Sequence, residues 1–216
     1  MKYKFSFLLP LLFILISPGV SRAQHILGGL SVGLNLTQLD GDQFYGFNQA
    51  GICAGPMVII PFGKEKKWSV SMELLYSQKG SYHRGGTDTT YYRLRLQYAE
   101  IPVLAHYTDK KTVSAGAGFC YGQLIGNRES KQLFMIPHSG FLPYEISAVG
   151  EAQVRMWNRF WVGVRYQYSI RSLRTVTIQD PYNLSDKWDR KQYNNTISIR
   201  LTYVFQQEIP NKKSRK

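Results

Sequence analysis

Ile26-Leu27-Gly28-Gly29-Leu30-Ser31-Val32-Gly33-Leu34-Asn35-Leu36-Thr37 alternates bulky apolar side chains with small or polar ones at every second residue. A period of two is the period of a β-strand, whose successive side chains point to opposite faces. Leu30, Val32, Leu34 and Leu36 make one face, and Gly29, Ser31, Gly33, Asn35 and Thr37 make the other. The water face of a soluble strand normally carries Lys, Glu or Thr. Gly and Ser suit the crowded interior of a narrow closed barrel, and the bulky residues opposite them then meet lipid. The stretch therefore predicts one strand of a small membrane β-barrel.

Seven further stretches follow, over residues 47–61, 68–79, 91–107, 112–125, 144–156, 160–170 and 195–205. In 68–79, Val70, Met72, Leu74 and Tyr76 face one way and Ser69, Ser71, Glu73 and Ser77 the other. In 91–107, Leu94, Leu96 and Tyr98 read as outward before the phase passes to Ile101, Val103 and Ala105, which predicts a bulge near Ala99-Glu100. The gaps are alternately long (38–46, 80–90, 126–143, 171–194) and short (62–67, 108–111, 157–159). In an up-and-down barrel this places both chain ends on the side of the short turns, the periplasm, and the long loops outside the cell. Aromatic residues sort by height into two interfacial girdles. Phe62, Trp68, Tyr107, Trp157, Phe160 and Tyr203 fall at the periplasmic end, and Tyr76, Tyr91, Tyr121, Tyr144 and Tyr168 towards the outer end. The expected fold is all-β, an eight-stranded antiparallel up-and-down transmembrane β-barrel over residues 24–205.

Residues 1–23 carry Lys2 and Lys4, an apolar run from Phe5 to Ile16, and Ser21-Arg22-Ala23. This is the layout of a secretory signal peptide cleaved after Ala23. Its apolar run is too short for a spanning helix, and no later stretch reaches the roughly 18 uncharged residues one needs, so insertion of the mature chain must be by strands. Cleavage leaves 193 residues, enough for one domain, and lowers the net charge from +13 to about +10. Lys212, Lys213, Arg215 and Lys216 lie in a basic tail, 206–216. The remaining positive charges are scattered and do not gather with aromatics on one element, which with the export signal argues against nucleic acid. Cys53 and Cys120 lie in predicted strands that are not neighbours, so two unpaired thiols are expected.

Five charged residues, Glu73, Glu100, Glu151, Arg165 and Arg200, point inward near mid-height. The lumen of eight strands is only wide enough to be filled by side chains, and charges persist there when paired and hydrogen-bonded. They are read as a salt-bridge plug. Glu73 and Glu100 on adjacent strands could form an acid–base pair, but the arginines opposite suit a structural ion pair better than a general acid, which must hold a proton. His25, His83, His106 and His138 are scattered, with no serine nucleophile motif near any of them. Neither Asp40 and Asp42 nor Asp180, Asp186 and Asp189 follow the spacing of a calcium loop. No catalytic, cofactor-binding or metal-binding residue is assigned. Lys79, Arg93, Arg95 and Arg171 are expected to form a basic outer mouth for lipid phosphates or an anionic ligand. The expected partners are outer-membrane lipid and lipopolysaccharide, the barrel-assembly machinery during insertion, and other envelope or secretion proteins.

Met72-Glu73-Leu74-Leu75-Tyr76-Ser77-Gln78-Lys79-Gly80 and Tyr98-Ala99-Glu100-Ile101-Pro102-Val103-Leu104 resemble segments of the PorT-like outer-membrane β-barrel family, as do Gly29, Gly33 and Asn35 at the start and residues 194–205 at the close. The resemblance covers nearly the whole mature chain and implies an outer-membrane barrel of a Gram-negative bacterium. Most members have no assigned activity, and the type IX secretion role of the named member is not carried by these motifs. Barrels of this kind usually stop at the terminal aromatic that the insertion machinery reads, whereas this chain continues past Phe205. Two rivals make opposite demands. A soluble lipocalin-like barrel would turn Leu30, Val32, Leu34, Val70, Met72 and Leu74 inward around an apolar ligand, and a narrow pore or an enzyme would need an open lumen.

Overall fold

The computed structural model describes residues 26–42, 46–84, 91–131, 135–137, 140–179 and 187–205. The expected signal peptide and basic tail lie outside them, as do His25, His138, Asp180 and Asp186. The strands are β1 (Leu27–Asp40), β2 (Gln49–Phe62), β3 (Trp68–Glu73), β4 (Leu75–Arg84), β5 (Tyr91–Asp109), β6 (Val113–Lys131), β7 (Met135–Pro137), β8 (Tyr144–Arg155), β9 (Phe160–Ser169), β10 (Arg174–Gln179) and β11 (Lys187–Val204).

β3 and β4 are one strand in two pieces. Met57 lies opposite Glu73 and Ala54 opposite Tyr76, so the register on β2 is unchanged across the break. The break falls at Leu74, opposite Pro56, which has no N–H to donate; the Leu74 N–H still reaches the Pro56 carbonyl at 3.0 Å. Counted so, neighbours pair antiparallel around the sheet, and β1 pairs β11 from Gly29 opposite Val204 to Asp40 opposite Tyr193, closing a ring of eight. Closure satisfies every strand edge internally, the condition for β-structure in hydrocarbon. A spanning strand needs about 9–11 residues. β5 and β6 have 19 each and β11 has 18, so all three run well beyond the bilayer on the long-loop side. There β10 pairs with the first part of β11 and β7 with β10, forming a small extracellular sheet.

The facing settles the lipocalin alternative. Leu30, Val32, Leu34, Met72 and Leu74 are 50, 53, 60, 53 and 56% exposed on the outside of the ring, whereas Ser31, Asn35, Thr37, Ser71 and Glu73 are buried inside it. At the periplasmic end Trp68 packs edge-on against Tyr107 with ring centres 5.1 Å apart, and Phe160 lies 4.9 Å from Tyr203. At the outer end Tyr121 stacks on Tyr144 at 6.3 Å and Tyr168 on Tyr193 at 6.2 Å. Cys53 and Cys120 are buried and unpaired.

One strand corrects the sequence reading. Leu94, Leu96 and Tyr98, expected outward, are fully buried inside the barrel, and β5 keeps one phase from Tyr92 to Tyr107. The bulge belongs to β6: Gln97 faces Gly126 and Tyr98 faces Leu124, leaving Ile125 as the extra residue. The physical reason is that the upper lumen is apolar. Leu39, Tyr92, Leu94, Leu96, Tyr98, Leu173 and Val176 form one buried cluster there, with Leu124 and Phe141 packed against it. A hydrophobic side chain at that height no longer marks the lipid face.

A ring closed by hydrogen bonds between the first and last strands has no local starting point for unravelling. The folded protein is expected to resist dodecyl sulfate at room temperature and to shift in gel mobility on boiling; identical mobility before and after would contradict closure.

Candidate functional site

The charged side chains inside the barrel stack in three levels. The lowest is built on glycine. Gly33 on β1 and Gly163 on β9 lie beside Arg200 on β11, and a β-carbon on Gly33 would stand 3.0 Å from the Arg200 side chain. The guanidinium fits because that space is free. Its Nη2 lies 2.5 Å from Glu73 Oε2, and its Nε donates to Ser31 Oγ at 3.2 Å. Arg165 Nη2 lies 2.5 Å from the other Glu73 oxygen, and Arg165 Nε donates to Glu151 Oε2 at 3.0 Å. Arg165 and Glu151 are register partners on β9 and β8. Two guanidiniums and two carboxylates cancel in charge, and all four side chains are nearly inaccessible to solvent.

The middle level centres on Lys79 of β4. Its Nζ lies 2.6 Å from Glu100 Oε1 and 3.0 Å from Glu145 Oε1, and 5.3 Å from the centre of the Tyr98 ring. One negative charge is in excess, and it is met by neutral donors. Gln167 Nε2 reaches Glu100 at 3.1 Å, Asn194 Nδ2 reaches Glu145 Oε2 at 2.6 Å, and Ser147 Oγ reaches Glu145 Oε1 at 2.5 Å. The top level is Arg174 of β10. It grips Glu129 of β6 through two parallel bonds of 3.0 and 2.8 Å, donates to Gln192 Oε1 at 2.7 Å, and stacks 4.0 Å from the centre of the Phe141 ring.

All five predicted luminal charges point inward, divided between two levels: Glu73, Glu151, Arg165 and Arg200 below, Glu100 above. Lys79 is not at the outer mouth. It shares the inward phase of Ser77, and β4 continues to Arg84, so position 79 lies within the wall instead of at its rim. Arg93 and Arg95 stand on the outer face of β5, Arg93 against the Tyr82 ring and Arg95 opposite Arg128 of β6. Arg171 is exposed and donates to the Tyr144 hydroxyl. The four do not form one cluster. Sequence reasoning left Glu145, Lys79, Glu129 and Arg174 out of the lumen set. Strand phase marked the first two as inward, whereas the last two fell in stretches read as loops.

Each luminal carboxylate of the ladder has a cation, and each cation has at least one carboxylate. Ser71 Oγ and His106 Nε2 lie 2.8 Å apart, a spacing that serves a nucleophile and its base, but Ser71 is buried and no acid orients His106 Nδ1, which has no side-chain or backbone partner. Among the described residues no group of three or more potential ligands could hold a metal ion.

A closed antiparallel ring with a lipid-facing apolar belt and a lumen filled by side chains defines an integral outer-membrane β-barrel. The chain belongs to the family of outer membrane protein beta-barrel domains, which it matches over residues 22–174, and its place is the cell outer membrane. In backbone it is similar to Ail, the attachment invasion locus protein of Yersinia pestis, at 13% identity and a TM-score of 0.46, over 83% of this chain and 98% of that one. Neisserial surface protein A (NspA) is similar at 9% and 0.47, over 82% and 97%. OprG from Pseudomonas aeruginosa is similar at 12% and 0.38, over 83% and 94%. Among curated protein sequences none matches.

Proposed function

We propose that this protein is a non-enzymatic barrel of the PorT-like branch, in which the lumen is a structural plug and the work, structural, binding or secretion-associated, is done by surfaces outside the hydrocarbon. The observation that carries this reading is the continuity of the filling. Paired charges occupy the lumen from Arg200 and Glu73 up to Lys79, and the apolar cluster around Leu94 and Leu96 closes it above. Conduction needs a wetted path and hydrolysis needs an accessible nucleophile or acid. The ladder offers neither, because its charged groups are paired with one another.

The outward arginines support a second part of the reading. Arg95 and Arg128 lie directly opposite on neighbouring strands, an arrangement that repels unless an anion sits between them. Lipopolysaccharide phosphate at the outer leaflet is an anion of the right kind and height. The long β5–β6 hairpin and the β7–β10–β11 sheet would then be the face offered to other envelope components.

Planar-bilayer recording tests the plug. The wild-type protein is expected to show little steady conductance, while Arg165→Ala, which frees Glu151 and half of Glu73, is expected to leak or lose stability. Large, stable wild-type channels would overturn the reading.

A further inference from the structure

At the periplasmic end the lumen opens into a cavity of about 170 Å³. Its inner wall is apolar, formed by Met57, Trp161 and Val204, all buried within the barrel. Its charged groups are of one sign: Lys66, Lys111 and Arg155 line it, and no Asp or Glu does. Glu65, the acid next to Lys66, is taken by Lys67 at 2.5 Å. The Arg155 guanidinium lies 4.9 Å from the centre of the Trp161 ring, on the boundary between the apolar wall and the basic rim.

Two further observations point to a ligand. Buried nitrogen atoms without a hydrogen-bond partner are rare in folded proteins, and two of them belong to residues lining this one cavity, His106 Nδ1 and Arg155 Nε. The His106 side chain is 4% exposed and is held by Ser71 on its other nitrogen. The ring leans over Gly116 with Nδ1 nearest to it, in the space a β-carbon would take, so it is seated where only glycine leaves room. The second observation is in the backbone. Among the described residues, the non-glycine residues with positive φ are Lys66 at 50°, Lys110 at 44° and Lys111 at 57°, all in periplasmic turns. Lys110 and Lys111 fill the centre of a tight turn closed by the Thr112 N–H to the Asp109 carbonyl at 2.9 Å. Asn-Gly is the favoured pair in such a turn, because the left-handed region is one that other residues avoid. Two of these three strained lysines face the cavity. Charge is placed at this mouth against local backbone preference.

We propose that this cavity is a binding site for a small amphipathic carboxylate entering from the periplasm. The apolar part, one aromatic ring or a short branched alkyl group, packs on Met57, Trp161 and Val204. The carboxylate sits at the basic rim and pairs with the Arg155 guanidinium, with Lys66 and Lys111 beside it on the solvent side. The size agrees: an apolar cavity of about 150 Å³ holds benzene. A diacyl phospholipid is too large to enter, which separates this site from ordinary headgroup contact at the inner leaflet.

The test uses the full-length mature protein in nanodiscs of phosphatidylcholine, with empty nanodiscs subtracted. The probes are 3-phenylpropionate and its neutral counterpart 3-phenylpropanol, followed by ligand-observed NMR and by tryptophan fluorescence in the wild type and in Trp161→Phe. The acid is expected to bind saturably at one site, at least tenfold more tightly than the alcohol, with a fluorescence change lost in Trp161→Phe. Arg155→Gln is expected to weaken the acid at least tenfold and leave the alcohol unchanged. Should Arg155→Gln fail to fold, the double variant Lys66→Gln/Lys111→Gln, altered only in exposed turns, is expected to weaken the acid several-fold and flatten its salt dependence. No saturable binding above empty discs, equal affinity for acid and alcohol, or variants indistinguishable from wild type would each overturn the proposal.

Discussion

Glu73→Ala is expected to destabilise the barrel by about 3–5 kcal/mol, the cost of breaking a buried ion pair by removing one partner. Glu73 holds Arg165 on one carboxylate oxygen and Arg200 on the other, each at 2.5 Å. Without it, Arg200 keeps Ser31 and a Glu151 oxygen 3.8 Å away, and the lower level carries one uncompensated positive charge. Urea unfolding of the protein in lipid vesicles, followed by tryptophan fluorescence, measures the loss. Glu73→Gln keeps the shape and part of the hydrogen bonding and is expected to fall between wild type and alanine. In the double variant Glu73→Ala/Arg200→Ala the two costs should not add, because the second substitution removes the charge that the first left stranded. A Glu73→Ala barrel within about 0.5 kcal/mol of wild type, the ordinary range for a surface substitution, would mean that water reaches the lower level and that the lumen is not a plug.

A set of buried ion pairs is weak as a source of net stability, since well-packed apolar residues of equal volume often do as well. Its value in this barrel lies in specifying which face is which. Shifting a strand by one residue exchanges its faces. Slippage of β3, β9 or β11 would carry Glu73, Arg165 or Arg200 into hydrocarbon, where a charge costs far more than a mismatched contact. The same residues that close the lumen therefore fix the register of the wall.

How much could be read from the sequence follows from this division of faces. β1, β3 with β4, β8 and β9 were legible because lipid and lumen made opposite demands on them, as with Leu34 against Asn35 or Met72 against Glu73. Where the demands converge, the reading inverted. Leu94, Leu96 and Tyr98 meet other apolar side chains inside the barrel, so their hydrophobicity carried no information about direction. Where lipid is absent, the pattern vanished. β11 begins at Lys187, eight residues before the expected start, and Asp189, Arg190 and Lys191 are solvent-exposed above the membrane, with no apolar face to alternate. β7, β10 and the outer end of β6 were read as loop for the same reason, and Arg174 on β10 and Glu129 on β6 were missed. Glu145 shares the inward phase of Glu151, but its partner Lys79 was assigned to the rim, so the middle level could not be assembled from the sequence. The periplasmic cavity was illegible because its ring is gathered from eight strands and two turns, each contributing residues that read as ordinary in their own segment.

Met72→Arg should have an effect of comparable size through the opposite face. Met72 is 53% exposed on the outer wall and sits four residues from Trp68 in the periplasmic girdle and four from Tyr76 in the outer one. Eight residues at about 3.3 Å each, on a strand tilted by about 40°, cover about 20 Å of an apolar band roughly 25 Å tall, so Met72 lies near its midplane. Arginine at that depth is expected to cost about 2–4 kcal/mol and to slow assembly, read as a lower fraction of the heat-shifted band after refolding into vesicles. Ser71 points into the lumen and is 1% exposed. In a background with Cys53→Ser and Cys120→Ser, Ser71→Cys should fold and remain shielded from lipid-phase thiol reagents, whereas cysteines at 70, 72, 74 and 76 should be labelled by them. Water-phase labelling at 69, 71 and 73, with none from lipid at the even positions, would mean that the wall faces the other way. Every assignment of lumen and membrane made from the alternation would then fall with it.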